Sequence, residues 1–372
     1  MNLDFFHRTA IEWIVPGVFF GAVLLELFFL LVFYLRLMFL KKSSERVLKN
    51  PISICLSVRN EEERIGRILG QLMEQQYEDF EVVVVDDFSE DCTLQKIAQL
   101  AKKYPRIKFT SISQETLFSE KISINLALKA VSFDRVVFVR PDSCQIDSQF
   151  LKKINDNTDG SNLLISYTNF SRERKFYNKF CRMERFLSFL SSAAYSRFGL
   201  VVFYEEANVL FMKDIYFESM GFRGKMNNHF ANLELVFNAV CKKGIKISID
   251  QETFIRENTQ VQKRDFTELM KKKIRLKQDL GFGKRLILLL EDLSKILFMG
   301  SFIWLLAVKP NNWLFVVLPA LLIFILHFFI VKTMAARLKE EKIFISSFMY
   351  VFVRPVVNLF HATKIYIHDK RN

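Results

Sequence analysis

A chain of 372 residues has room for two or three domains, and one that is 51% hydrophobic yet 25% charged fits a soluble domain joined to membrane helices better than either alone. The formal net charge of +13 admits nucleic acid, anionic lipid or a phosphate-bearing ligand as partner. No basic run interleaved with stacking aromatics occurs in a soluble stretch, which sets nucleic acid aside. The five cysteines, Cys55, Cys92, Cys144, Cys181 and Cys241, are scattered without metal-ligand spacing and read as reduced thiols of a cytosolic domain.

Residues 1–40 form the first element. Trp13–Leu35 is almost continuously apolar and long enough to span a bilayer. It is too long for the apolar core of a signal peptide, and no small-residue cleavage site follows. Lys41, Lys42, Arg46 and Lys49 come next, which by the positive-inside rule places the following domain in the cytoplasm, at the inner membrane. Glu26 lies inside the span. It reads either as a carboxyl protonated or paired against another span, or as the mark of a transport path.

Residues 41–285 alternate between α and β. Strands are expected at Ile52–Val58, Phe80–Val85, Ile107–Ile112, Arg135–Val139 and Leu163–Tyr167, with helices at Arg64–Gln75, Thr93–Lys103 and Ile122–Ala130. Such alternation predicts an α/β fold, a mostly parallel sheet sandwiched by helices. Acidic side chains leave the ends of the first two strands, where ligands of open α/β sheets bind. The turn after the first strand, Arg59-Asn60-Glu61-Glu62-Glu63, has no glycine, which argues against a dinucleotide fingerprint and against a P-loop. A nucleotide here must be held by side chains. Lys175–Arg197 is a helix whose stripe of Phe176, Phe180, Met183, Phe186, Leu187 and Leu190 is expected in the core; Glu205–Gly224 reads as a connecting platform, and Phe230–Val240 as another helix.

Residues 286–372 return to the membrane. A helical hairpin is expected over about 290–331, turning at Lys309-Pro310-Asn311-Asn312, with Trp304 and Trp313 as interface anchors. The segment 343–361 is apolar but interrupted by Arg354-Pro355. It reads as lying on the inner face, with a fourth span as the rival reading.

Ser53-Ile54-Cys55-Leu56-Ser57-Val58-Arg59-Asn60-Glu61-Glu62 resembles the first strand and Arg-Asn-Glu signature of the family 2 glycosyltransferases, which are inverting, nucleotide-sugar-using enzymes of GT-A fold. Asp86-Asp87-Phe88-Ser89-Glu90-Asp91-Cys92-Thr93 is similar to that family's Asp-Asp-x-Ser-x-Asp-x-Thr signature, and Phe118-Ser119-Glu120-Lys121 before Asn125-Leu126-Ala127-Leu128 to its lysine-plus-helix element. The resemblance runs from Pro51 to Leu280, and the flanking anchors suit membrane-bound members. It implies that Asn60, Glu61, Asp86 and Asp87 face the base and ribose of a UDP- or GDP-type nucleotide sugar, with Lys121 on the diphosphate side. Carboxylates suit base N–H groups and ribose hydroxyls, and a lysine suits phosphate. Taken singly, these residues have ordinary roles: Asn60 as a helix cap, Glu61–Glu63 as first-turn charges on the helix dipole, Asp86 as a strand-end turn.

Three further parts of the family pattern are altered. The Asp-x-Asp that would hold Mg²⁺ or Mn²⁺ against the diphosphate falls on Arg140-Pro141-Asp142, leaving Asp142 as the metal and catalytic carboxylate. Arg140 repels a metal and is itself able to pair with diphosphate. The general base, expected after Gly221-Phe222-Arg223, falls on Asn232, with Glu234 two residues on and on another side of a helix. The Gln-x-x-Arg-Trp-like clamp falls on Lys272-Lys273-Ile274-Arg275-Leu276, keeping Arg275; Lys271–Lys273 alone reads as a solvated or lipid-facing helix edge. Two functions follow as expectations. One is transfer of a sugar from a nucleotide sugar to a membrane lipid, lipid-linked or glycan acceptor. The other is an inactive glycosyltransferase fold that serves as scaffold for an active partner glycosyltransferase.

Overall fold

The computed structural model describes residues 3–45, 49–115, 117, 119–158, 161–240, 244–308 and 313–370. The turn expected at Lys309–Asn312 lies outside them, as do Arg46, Phe118 and Cys241. The chain divides into two compact units, Lys41–Asp279 and Met1–Leu40 with Leu280–Asn372.

The chain opens with α1 (Leu3–Phe29), which runs on through a π-helical turn, Leu30–Tyr34, and a 3₁₀ turn, Leu35–Phe39. The α/β unit then follows as β1 (Ile52–Val58), α2 (Glu62–Met73), β2 (Phe80–Asp86), α3 (Thr93–Lys103), β3 (Ile107–Ser111), α4 (Ser119–Ala130) and β4 (Arg135–Phe138). Next come β5 (Ser143–Gln145), α5 (Phe150–Asn157), β6 (Leu163–Ile165), β7 (Thr168–Phe170) and α6 (Phe176–Ser196). The unit closes with β8 (Val209–Met212), α7 (Lys213–Glu218), α8 (Leu233–Val240), β9 (Ile245–Ile247), β10 (Ile255–Glu257) and α9 (Lys263–Asp279).

Among the described residues the main sheet has seven strands in the order β3-β2-β1-β4-β8-β6-β9, and a smaller sheet runs β5-β10-β7. Strands β3, β2, β1 and β4 are mutually parallel, and β8 is the strand that pairs antiparallel with both its neighbours. Every residue of β2 is buried, as parallel strands covered by helices on both faces must be. Helix α2 presents Ile65, Ile68, Leu69 and Leu72 to that core at helical spacing, while its other positions are polar. The chain leaves β1 towards β2 on one side and later fills β4 on the other. The crevice outside the carboxyl ends of β1 and β4 is therefore a topological switch point.

Two expectations are corrected. The strand expected over Leu163–Tyr167 ends at Ile165: Ser166 donates its amide to the Asn208 carbonyl, and the Tyr167 carbonyl instead accepts the Ile255 amide, so the chain changes partner before β7 begins in the other sheet at Thr168. The platform Glu205–Gly224 contains β8, a four-residue strand that joins the parallel half of the sheet to β6. In α6, Phe176 is 68% exposed because it sits in the first turn and packs on Phe180 rather than on the core. Cys55 and Cys181 are free and buried, and Cys92 is free and exposed.

The other unit is completed by α10 (Phe282–Val308), α11 (Trp313–Arg337) and α12 (Phe344–Asp369). Among the described residues three helices, Ile14–Phe39, Trp313–Arg337 and Phe344–Asp369, are long and apolar enough to cross a membrane by length and composition. Helix α12 continues through Pro355, where the apolar run is interrupted; proline removes one backbone hydrogen bond, but its fixed φ is already helical. Glu26 is 1% exposed and paired: Ser294 donates its hydroxyl to it, and Lys295 and His327 approach to 4.0 and 3.8 Å.

Candidate functional site

Register sets the site. Parallel pairing aligns Val58 with Asp86 and Cys55 with Phe138, so the loops leaving β1, β2 and β4 emerge at one edge of the sheet. The first two loops are laced together. The Asn60 amide donates to Ser89 Oγ at 3.0 Å, and the Asn60 side-chain oxygen accepts the Glu90 amide at 2.9 Å. The Glu61 amide donates to Thr93 Oγ1 at 2.8 Å, and the Glu62 amide to Asp91 Oδ2 at 3.2 Å. Asn60 and Phe88 turn the chain with φ of +53° and +57°, a region that asparagine tolerates better than most side chains. Ser89, Asp91 and Thr93, the small polar residues of the second signature, are thus the fasteners of the first. Asn60 is not the helix cap; Glu61 is, and Asn60 ties the loops.

The carboxylates of these loops lie at the same edge of the sheet. Asp86 is 2% exposed; its Oδ2 accepts the Ser89 amide at 3.2 Å, while its buried Oδ1 has no hydrogen-bond partner among the described residues. Such an acceptor is costly unless something fills it. Asp87 is buried beside it, with its amide bonded to the Val58 carbonyl at 2.8 Å. The Glu61 carboxyl is raised above its usual range by burial; the Arg64 cation opposes this, the Asp142 charge adds to it and Arg140 opposes it too. Glu61 therefore shares one electrostatic environment with the loop after β4.

That loop carries Arg140 and Asp142. Arg140 Nε lies 3.5 Å from Asp142 Oδ1, and Asp142 Oδ2 accepts the Thr259 hydroxyl at 3.0 Å. Burial alone would lower the Arg140 guanidinium, but Asp142, Glu257, Glu205 and Glu206 together hold it well above its ordinary value. The donor set does not fit a divalent cation. Asp142 faces a guanidinium, and among the described residues no three His, Cys, Asp or Glu side chains gather as a metal site.

Beyond Asp142 lies a network that sequence reasoning missed. Arg185 on α6 pairs with Glu257 at 2.6 Å and Glu205 at 3.1 Å, and stacks over the Phe170 ring at 3.8 Å. Lys272 pairs with Glu234 at 2.5 Å. Glu206 Oε2 accepts the Leu233 amide at 3.1 Å, and its Oε1 faces Asn232 Nδ2 at 3.4 Å. Burial raises the Glu206 carboxyl to about 8, with the Glu234 charge adding to it. Burial likewise raises Glu257, against the pull of Arg185, whereas Arg185, Lys272 and Arg140 overcome burial and hold Glu205 low.

The remaining predicted residues fall around this network. Asn232 precedes α8, so helical phase does not separate it from Glu234, whose Oε2 accepts the Asn232 amide at 3.0 Å. Lys121 is 4% exposed and bonds within the chain, to the Asn228 carbonyl at 2.9 Å, the Ala231 carbonyl at 2.8 Å and Asn232 Oδ1 at 3.1 Å. On α9 Lys272 reaches the network, and Arg275 is half-buried one turn on. Lys272 and Lys273 are not a solvated edge: Lys273 is 3% exposed and pairs with the buried Glu184. The one legible signal for these cations is position, on the helix where the clamp motif is expected. Gly221 is required where it stands, with φ of +56° and the Tyr216 ring 2.6 Å from where a Cβ would lie.

Comparisons with known proteins agree with this architecture. The model of the Glycosyl transferase family 2 matches residues 53–219. Mannosyltransferase PcManGT from Pyrobaculum calidifontis, solved in complex with GDP-Man and Mn²⁺, is similar over 94% of this chain and 98% of that chain, at 18% identity and a TM-score of 0.54. S. aureus TarS 1-349 is similar over 86% of this chain and 92% of its own, at 16% identity and a TM-score of 0.45. No curated protein matches. Likeness at such identity speaks to fold alone, and the family rests on the matched segment. The α/β unit of this chain thus has a GT-A fold, and its residues 53–219 match the model of the Glycosyl transferase family 2.

Proposed function

We propose that this chain is a membrane-bound glycosyltransferase-like protein that takes a nucleotide sugar of UDP or GDP type at the carboxyl edge of its sheet and serves a membrane lipid, lipid-linked or glycan acceptor. The observation that carries the reading is the set of acidic groups at one edge, Glu61, Asp86 and Asp142, with a buried Asp86 oxygen that nothing in the described chain satisfies. Asp86 and Asp87 are matched to base and ribose donors. The family-model match over residues 53–219 and the GDP-Man bound by the Pyrobaculum mannosyltransferase support a sugar nucleotide as ligand. The apolar helices, with the basic residues that follow Leu40, support anchoring with the α/β unit on the cytoplasmic side.

In transfer, the acceptor hydroxyl attacks the anomeric carbon, the bond from that carbon to the diphosphate oxygen breaks, and the hydroxyl proton passes to a carboxylate. Asn232 cannot accept that proton; Glu234 and Glu206 are the carboxylates beside it, one held by Lys272 and the other with its proton affinity raised. This favours the second reading, a nucleotide-binding scaffold for a partner glycosyltransferase. Calorimetry of the full chain in detergent with UDP- and GDP-sugars, followed by a donor-hydrolysis assay, separates the two. Binding with turnover supports transfer, and binding without turnover supports the scaffold. No binding to any nucleotide sugar would remove both.

A further inference from the structure

The residues after β4 do not fit a metal, yet they present a cation in a form suited to an anion. We infer that Arg140 is the diphosphate-binding group of this site and takes the place of a divalent cation, so that nucleoside diphosphates bind here without metal. The inference rests on the nucleotide reading above and adds what holds the phosphates.

Arg140 stands two residues past β4, at the switch point where ligands of such sheets sit. Its side chain is 38% exposed, and it meets Asp142 through Nε, at 3.5 Å. Among the described residues the two terminal nitrogens of the guanidinium take no hydrogen bond. They form a planar fork, the geometry that pairs bidentately with phosphate oxygens. A phosphate can dock on that fork while Asp142 keeps Nε, so no existing pair need break. The loop that carries Arg140 emerges at the same edge of the sheet as the loops of Glu61 and Asp86.

The surrounding carboxylates lead to the same conclusion. A hard divalent cation needs several free oxygens in near-octahedral array. Here each carboxylate beside Arg140 already has a partner on at least one oxygen, although Asp142, Glu205, Glu234 and Glu257 each keep a second oxygen without a hydrogen bond among the described residues. Thr259 and Arg140 hold Asp142, and Arg185 holds Glu257 and Glu205. Lys272 holds Glu234, and the Leu233 amide holds Glu206. With Arg140, Arg185 and Lys272 among them, the carboxylates are balanced by fixed cations, and a further cation gains little there.

The test is calorimetry on the full chain in detergent with EDTA, using UDP, GDP, UMP, GMP and inorganic pyrophosphate as probes. Diphosphates should bind in EDTA more tightly than the monophosphates, with affinity unchanged on adding Mn²⁺. Arg140→Ala should weaken UDP and GDP about tenfold to a hundredfold, the loss of a charge-assisted pair, and leave UMP and GMP nearly unchanged. Arg140→Gln, which keeps most of the volume, guards against a collapsed pocket and should behave alike. Diphosphate binding that requires Mn²⁺, or that ignores both substitutions, overturns the inference. Monophosphates binding as well as diphosphates would overturn it while leaving the nucleotide site standing. Pyrophosphate bound through Arg140 with no nucleotide bound would do the reverse. If none of the probes binds, with or without Mn²⁺, both fall.

Discussion

The two sides of the sheet's carboxyl edge are built differently. On the side of β1 and β2, adjacent loops are stitched by short-range bonds from backbone amides to Ser89, Asp91 and Thr93, leaving an Asp86 oxygen open. On the side of β4, α6, α8 and α9, charged side chains drawn from distant parts of the chain neutralise one another, and Arg140 keeps an open fork. The first arrangement offers acceptors to a ligand. The second fixes its carboxylates and offers a cation. The contrast teaches that one edge of a sheet can carry open acceptors on one side and mutually balanced charges on the other.

The sharpest way to break that contrast is to unpin the charged side. Arg185→Ala leaves Glu257 and Glu205 buried without their cation, and should cost about 3–5 kcal/mol of stability, read by thermal unfolding in detergent. Adding Glu257→Gln should recover part of the loss. A wild-type melting temperature in the single variant would mean the pairs are solvated and the network is ornamental.

A second measurement reads the same network through pH. Glu206 has its proton affinity raised from the ordinary 4.5 to about 8, so between those values the native state holds a proton that the unfolded chain has released. The Glu206 share of stability is then full below about pH 4.5 and is lost as pH rises towards 8, and Glu257, also raised, adds in the same direction, whereas Glu205, lowered to about 2, loses its share as pH falls below about 4.5. Glu206→Gln should flatten this decline. A variant as pH-sensitive as wild type would remove Glu206 from the account.

On the side of β1 and β2 the effects are smaller. Thr93→Val deletes the hydroxyl that receives the Glu61 amide and should cost about 0.5–1.5 kcal/mol while weakening nucleotide binding, with the pH response unchanged. A shift in the pH response would show that the two sides are coupled. The smallest effect is expected from Asn60→Gly, which loses one bond to Glu90 but suits the left-handed turn, so stability should stay within about 0.5 kcal/mol. A larger loss would mean that Asn60 does more than tie the loops.

Legibility in the sequence follows range. The strands Ile52–Val58 and Phe80–Asp86 and the helix Thr93–Lys103 announce themselves by unbroken apolar runs and helical spacing. The short β8 reads as a connection because four apolar residues carry no periodicity, and its existence depends on partners in β4 and β6. The site divides in the same way. Asn60, Glu61, Asp86 and Asp87 stand in contiguous signatures, whereas Glu205, Glu206, Glu257, Arg185 and Lys272 do not, since a lone charged residue reads as surface until its partner is known.

By itself, then, the sequence determined the alternating α/β unit, the apolar helices that flank it and the acidic loops at the ends of its first strands, because each of these is written in a continuous stretch whose pattern sets its local structure. Only the tertiary structure decided which charges are buried and with whom. Arg185 meets Glu257 across 72 positions of chain, and Lys273 meets Glu184 across 89. A charge is stable inside a protein only beside its counter-charge, and that neighbour is chosen by how helices and strands pack, not by their order along the chain.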